Sequence, residues 1–215
     1  MKTMVFIRGW GSLDRTFDKL LKTKPVDWNV IIIAAEDLIY DFDLDKSIKR
    51  LHKIIVEKNI SDFLLVGHSL GGAIAMGYSA TYPENHPKLV LVNSVGIPHL
   101  EDIPTTIIKL FKQNLTKPAT NLFIKIIEGI HVLKNPVFQY KLGKFSKKVN
   151  VLAHAAKITK PVLILHGDKD ILVPLQNAQE LKAAIGGAQL EQLKGDDHDW
   201  MAFHPEQFWK IVTRF

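Results

Sequence analysis

Residues 63–83 constrain this chain more than any other stretch. They form its longest run without a charged side chain, long enough by count to cross a bilayer. The run nevertheless contains His68, Ser69 and glycines at 67, 71, 72 and 77. It divides into an apolar strand at 63–66, a glycine-flanked turn, and a small-residue helix at 70–82 that stops before Pro83. A strand that passes directly into a helix commits its surroundings to alternating α/β architecture rather than to a bundle or a β-sandwich.

The rest of the chain repeats the alternation. Apolar runs at 4–7, 28–35, 89–92 and 161–165 read as further strands and residues 188–193 as the last one, and the isoleucine-rich second run suits a central position. Between them, Ile48, Leu51, Ile55 and Val56 fall at helical spacing, and residues 175–185 form a helix closed by Gly186-Gly187. Residues 205–215 read as a terminal helix. After the first strand, Ser12 or Asp14 is placed to cap a helix carrying Phe17, Leu20 and Leu21. The acidic stretch from Glu36 to Asp45 lacks the glycine and terminal glutamate of a calcium loop, so it reads as a solvated loop and helix start. The expectation is an α/β fold with a doubly wound, mostly parallel sheet of about six strands.

One segment breaks the pattern. Residues 97–160 hold no good strand. Ile107, Phe111 and Leu115 fall four apart, and Leu122 or Phe123, Ile126, Ile130 and Leu133 repeat at three and four, as amphipathic helices do. This segment is expected to be an inserted helical lid, with residues 1–96 and 161–215 forming the core. Charge singles it out as well. The chain carries a formal +6, yet residues 97–160 hold eleven lysines against Glu101, Asp102 and Glu128, a net +8, so the remainder is slightly acidic. Such a face could dock an acidic partner, such as an acyl-carrier protein, or anionic lipid headgroups; equally, the lysines could be the solvated faces of the helices.

Composition removes several classes of function. There is no cysteine, which excludes disulfides, thiolate catalysis and cysteine-ligated metals and fits a reducing, cytoplasmic setting. The nine histidines do not cluster at metal-ligand spacing. No transmembrane segment, export signal or nucleic-acid partner is expected, since the first apolar stretch ends at Arg8.

The chemistry lies at the ends of the strands. Gly67-His68-Ser69-Leu70-Gly71 is a G-x-S-x-G turn between strand and helix. It projects the serine hydroxyl from the sharp turn, and side chains two residues to either side would collide with neighbouring elements. A serine needs a base, and the base needs an acid. After the fifth strand come Asp168 and Asp170; either could be the acid, and Asp168 could instead brace the turn. After the last strand, Gly195-Asp196-Asp197-His198 supplies the base; His204, beside Pro205, is the rival but sits at the start of the final helix. The remaining histidines considered, at 52, 86, 99, 131 and 154, read as surface or packing residues. Two oxyanion donors are expected, the N–H of Leu70 at the helix start and the N–H of Trp10 in Gly9-Trp10-Gly11 after the first strand.

Together, R-G-W-G-S at 8–12, G-H-S-L-G-G at 67–72, H-G-D-K-D-I-L-V-P at 166–174 and G-D-D-H at 195–198 followed by Pro205 resemble the α/β-hydrolase superfamily along nearly the whole chain. The resemblance assigns Ser69 as nucleophile, Asp170 as acid because it stands three residues after the glycine, His198 as base, and Trp10 and Leu70 as oxyanion donors. The lid after the fourth strand is similar to that of small carboxylesterases, including the biotin-pathway esterase acting on pimeloyl-acyl-carrier methyl ester. Two departures stand out. Arg8-Gly9 replaces the His-Gly of many members, and the first strand here matches what is normally the third, so a sheet without the first two edge strands is expected. The implied activity is cofactor-free hydrolysis of a small-molecule carboxylic ester through an acyl-enzyme. Carbon–carbon, amide or perhydrolase chemistry on the same residues is the alternative, or a noncatalytic ligand-binding role on the same scaffold.

Overall fold

The computed structural model describes residues 1–98, 104–106, 108–109 and 119–215. Six strands form one sheet: β1 (Lys2–Arg8), β2 (Trp28–Ala34), β3 (Phe63–His68), β4 (Lys88–Val92), β5 (Val162–Gly167) and β6 (Gln189–Leu193). All neighbours are parallel, in the order β2-β1-β3-β4-β5-β6. The chain steps from β1 outward to β2 and then returns across β1 to β3, so the winding reverses between β1 and β3. Ligands of open parallel sheets bind at the carboxyl edge beside such a reversal.

Among the described residues, each strand is followed by one or more helices: α1 (Asp18–Lys22), α2 (Ala35–Leu38), α3 (Leu44–Glu57), α4 (Leu70–Thr81), α5 (Ala119–Lys134), α6 (Pro136–Lys148), α7 (Leu152–Ala155), α8 (Leu175–Ala184), α9 (Trp200–Phe203) and α10 (Pro205–Val212). Sheet residues alternate between two cores. Val5 and Ile7 point into one with Leu65, Leu91 and the α4 residues Ile74 and Tyr78; Met4 and Phe6 point into the other with Val66, Val92, Trp200 and Phe208. Both faces of the inner strands are covered, which is why β1, β3, β4 and β5 read as apolar runs; the edge strand β6 alternates and is largely exposed, and the isoleucine-rich β2, expected to be central, forms the other edge.

The expected cap of the first helix is not formed. A 3₁₀ turn at Asp14–Phe17 precedes α1, and its start is held by Thr16 Oγ1, which accepts from the Leu13 N–H at 3.2 Å, rather than by Ser12 or Asp14. Ser12 Oγ instead donates to the Gly9 carbonyl, and Asp14 is drawn to the Arg8 guanidinium at 2.7 Å. Arg8, whose guanidinium also bonds the Ser12 carbonyl, is buried and braces the turn after β1. Asp43 does cap α3, accepting from the Lys46 N–H at 3.0 Å. In the lid segment, Ile107, Phe111 and Leu115 lie outside the described residues. Helix α5 forms, but Phe123, Ile126, Ile130 and Leu133 are exposed rather than packed inward. No described helix is long and apolar enough to cross a membrane.

Candidate active site

Because the strands are parallel, the loops that follow β1, β3, β4, β5 and β6 all leave the same edge. Ser69 stands between β3 and α4 with φ at +52°, a region that costs a non-glycine residue about 1–3 kcal/mol and persists only where its surroundings enforce it. Its backbone is held from both sides. The Ser69 N–H donates to the Val92 carbonyl at 3.0 Å, and its carbonyl accepts from Gly72 and Val95. Small residues are imposed around it. A Cβ on Gly67 would meet Gly72 Cα at 2.6 Å, and one on Gly71 would strike the Ile7 carbonyl. The first α4 residue is Leu70, and an N–H in the first turn of a helix has no acceptor within that helix.

The turn after β1 lies against this serine. A Cβ on Gly9 would come within 2.7 Å of Ser69 Cβ and 3.2 Å of its Oγ. Only glycine lets the backbone leading into Trp10 come so near. The Trp10 indole is tied to α6, donating to Gln139 Oε1 at 2.6 Å. Gln139 Nε2 donates to Glu36 Oε1, which also accepts from the Gly11 N–H, each at 3.1 Å. His131 lies 3.1 Å from the other Glu36 oxygen. Glu36, expected to be solvated, thus joins α5 and α6 to the loop beside the serine.

His198 and Asp170 are directly bonded, with Nδ1 donating to Oδ2 at 2.7 Å. Asp170 Oδ2 also accepts from Asn93 Nδ2 at 2.5 Å, and Oδ1 accepts from the N–H groups of Leu172 and Val173 at 2.8 and 3.0 Å. Burial would push this carboxyl up; the charge of His198 and the bonds from His198, Asn93 and Val173 outweigh it and hold Asp170 below the ordinary carboxylate range. The competing residues are occupied elsewhere. Asp168 Oδ1 accepts from the Gly195 N–H at 2.7 Å, bracing the loops after β5 and β6 together. His204 donates to Asp196 at 2.8 Å and is exposed.

Two further residues hold the pair and were not singled out by sequence. Asn93, immediately after β4, is fully buried at φ +44°. Its Oδ1 accepts from the Trp200 indole at 3.0 Å. An indole can only donate, so this bond fixes the amide with its NH₂ toward Asp170. His68 Nε2 donates to the His198 carbonyl at 2.9 Å, and the two rings are 4.9 Å apart. His68 Nδ1 is buried without a hydrogen-bond partner, and burial, helped by the charge of His198, pulls the His68 pKa down to about 4. The signal for Asn93 was its place at the carboxyl end of a strand; His68 is inside the serine motif itself.

Among the described residues, one set of potential metal ligands gathers here: His68, His198 and Asp199, within 4.8 Å of one another. Nδ1 of His198 and Nε2 of His68 are already engaged by Asp170 and the His198 carbonyl. A cavity of about 470 Å³ beside Lys88, Pro161, Gln189 and Phe215 opens at the opposite, amino edge of the sheet, remote from this chemistry.

The geometry has parallels among known proteins. A model of the alpha/beta hydrolase family matches residues 7–211. An uncharacterized protein of Mycobacterium tuberculosis is 27% identical over 194 residues, covering 73% of this chain; the chain spans only 56% of that relative's length. Lipase 3 of a Moraxella species is 26% identical over 224 residues, covering 91% of the chain and 71% of the lipase. The crystal structure of a bromoperoxidase from Bacillus anthracis superimposes with a TM-score of 0.82 at 18% identity, over 99% of this chain and 90% of that one.

Proposed function

Since the chain belongs to the alpha/beta hydrolase family, we propose that it is a serine hydrolase acting on carboxylic esters, with the segment 97–160 as its lid. The observation that carries this reading is the convergence at one sheet edge of a serine on a strained strand-to-helix turn and a histidine bonded at 2.7 Å to a buried carboxylate.

In the proposed reaction, the neutral imidazole of His198 takes the Ser69 hydroxyl proton as Oγ attacks the ester carbonyl carbon. The carbonyl electron pair moves onto oxygen, where the N–H groups of Leu70 and Trp10 donate to it. The tetrahedral intermediate collapses, its C–O bond breaks, and His198 returns the proton to the leaving alcohol. Water then repeats the sequence on the acyl-serine, releasing the acid and restoring Ser69. Asp170 keeps Nδ1 protonated, so that Nε2 is the basic nitrogen, and stabilises the imidazolium. Asn93 and the Leu172 and Val173 N–H groups keep Asp170 charged and fixed. Relatives named as lipases act on esters, which supports the substrate class.

A panel of p-nitrophenyl esters of increasing acyl length tests the reading. Wild type should turn over at least one ester, and Ser69→Ala and His198→Ala should each lower kcat by about 10³-fold or more with the fold intact. His204→Ala should leave kcat nearly unchanged. A crippling effect of His204→Ala with activity retained in His198→Ala would refute the base assignment.

A further inference from the structure

Helix α5 carries apolar side chains on its outward side, while buried polar groups accompany the half-buried Ile127 and Val132 on its inner side. Its inward side presents polar groups: Glu128 is buried and accepts from Thr16 Oγ1 at 2.6 Å, and His131 meets Glu36 at 3.1 Å. Its outward side presents Phe123, Ile126, Ile130 and Leu133, and the same stripe continues beyond Asn135 into α6 with Val137 and Tyr140. These six side chains, spaced three and four apart, are between 51% and 73% exposed. A water-facing helix normally has the reverse arrangement. Single exposed apolar side chains need no explanation, but a continuous stripe at helical spacing does.

The charge beside the stripe is of one sign. Lys134, Lys141, Lys144 and Lys148 are exposed, and Lys144 lies 5.6 Å from the Tyr140 ring. Between residues 119 and 148 the sequence holds six lysines and one acid, and that acid, Glu128, is turned inward. From these observations we infer that the outer face of α5 and α6 docks on the surface of an anionic phospholipid bilayer. Its apolar stripe would enter the headgroup–acyl boundary, with the lysines on the phosphates and Tyr140 at interface depth. A second copy of the chain fits poorly, because a two-fold contact through this face would bring lysines against lysines. A protein partner fits less well, since lysine is depleted from protein interfaces. The inference concerns binding alone and does not depend on the proposed reaction.

Flotation of the full chain with vesicles tests it, using phosphatidylcholine alone and phosphatidylcholine with 30% phosphatidylserine. At 0.1 M salt the protein should partition at least about tenfold more strongly to the anionic vesicles, and 1 M salt should remove most of that preference. Lys141→Glu with Lys144→Glu should abolish the preference. Ile130→Ser with Leu133→Ser and Val137→Ser should lower anionic binding by about tenfold or more while the lysines remain. All these side chains point outward, so circular dichroism and melting temperature should be unchanged. No binding to either vesicle, equal binding to both, or self-association through this face in sedimentation velocity without lipid would overturn the inference. So would tight, salt-sensitive capture of an acidic carrier protein with no vesicle binding.

Discussion

Acid should weaken this protein well before its carboxylates are protonated, and His68 should be a principal cause. Its Nε2–H is committed to the His198 carbonyl, so a second proton must enter at Nδ1, which is buried and has no hydrogen-bond partner. The folded-state pKa is depressed to about 4 from an ordinary 6.5. The unfolded chain therefore binds the proton more readily than the folded one between these values. The contribution to stability is fully present above pH 6.5 and falls as pH drops toward 4, at up to about 1.4 kcal/mol per pH unit. By pH 4.5 the loss from this residue alone is about 2.5 kcal/mol, a large part of a typical 5–15 kcal/mol stability. Burial depresses the pKa of His86 and His166 too, so wild type should show a steeper total slope in this window. The lowered Asp170 pKa acts in the same direction but in a lower window, its stabilisation being lost only as pH falls below the ordinary carboxylate range. Urea unfolding at pH 7.5, 6.0, 5.0 and 4.5 measures the slope, and His68→Gln isolates the residue, since a Gln amide can still donate to the His198 carbonyl. The variant should be somewhat less stable at pH 7.5 but lose about 2 kcal/mol less than wild type on going to pH 4.5. Parallel stability curves for the two proteins would refute the argument.

Gly9→Ala places a Cβ 2.7 Å from Ser69 Cβ, so the turn after β1 or the serine must shift. A displacement of about 1 Å should lower ester kcat/KM by about 10²-fold with little loss of secondary structure by circular dichroism; undiminished kcat/KM would show that the turn is not part of the site. Asn93→Ala removes a donor from Asp170, leaves the Trp200 indole N–H buried without its acceptor, and puts alanine at φ +44°. Urea denaturation should show a loss of about 2–3 kcal/mol, and kcat should fall about tenfold at a temperature where the variant remains folded.

The strands and their order along the chain were legible, because an inner strand buried on both faces must be apolar throughout and the alternating β6 is bounded by glycine turns; the edge position of β2 was not, because its isoleucine run reads like an inner strand. The serine turn was equally legible, since sterics leave glycine little competition where a strand, a tight turn and a helix pack together, as the collision of a Gly71 Cβ with the Ile7 carbonyl shows. Local sequence could not choose between Asp168 and Asp170. The distinction is tertiary: one reaches the Gly195 N–H and the other reaches His198, both far along the chain. Asn93 was hidden for the same reason, because its partners stand 77 and 107 residues away. Glu36 was misread as solvated because acidic loop residues usually are; only α5 and α6, which bring His131 and Gln139 to it, make it a junction. The spacing of α5 predicted an amphipathic helix but not the direction of its apolar face. Periodicity identifies a face and says nothing of which way it points.

The proposed mechanism requires Ser69 to be an activated nucleophile served by His198. Reaction with a fluorophosphonate and location of the adduct by peptide mass spectrometry measures this directly, without knowledge of the natural substrate. The expected result is one phosphonyl group per chain on Ser69, absent in Ser69→Ala and slowed by about 10²-fold or more in His198→Ala. Labelling on another residue, or unchanged labelling in His198→Ala, would contradict the claim.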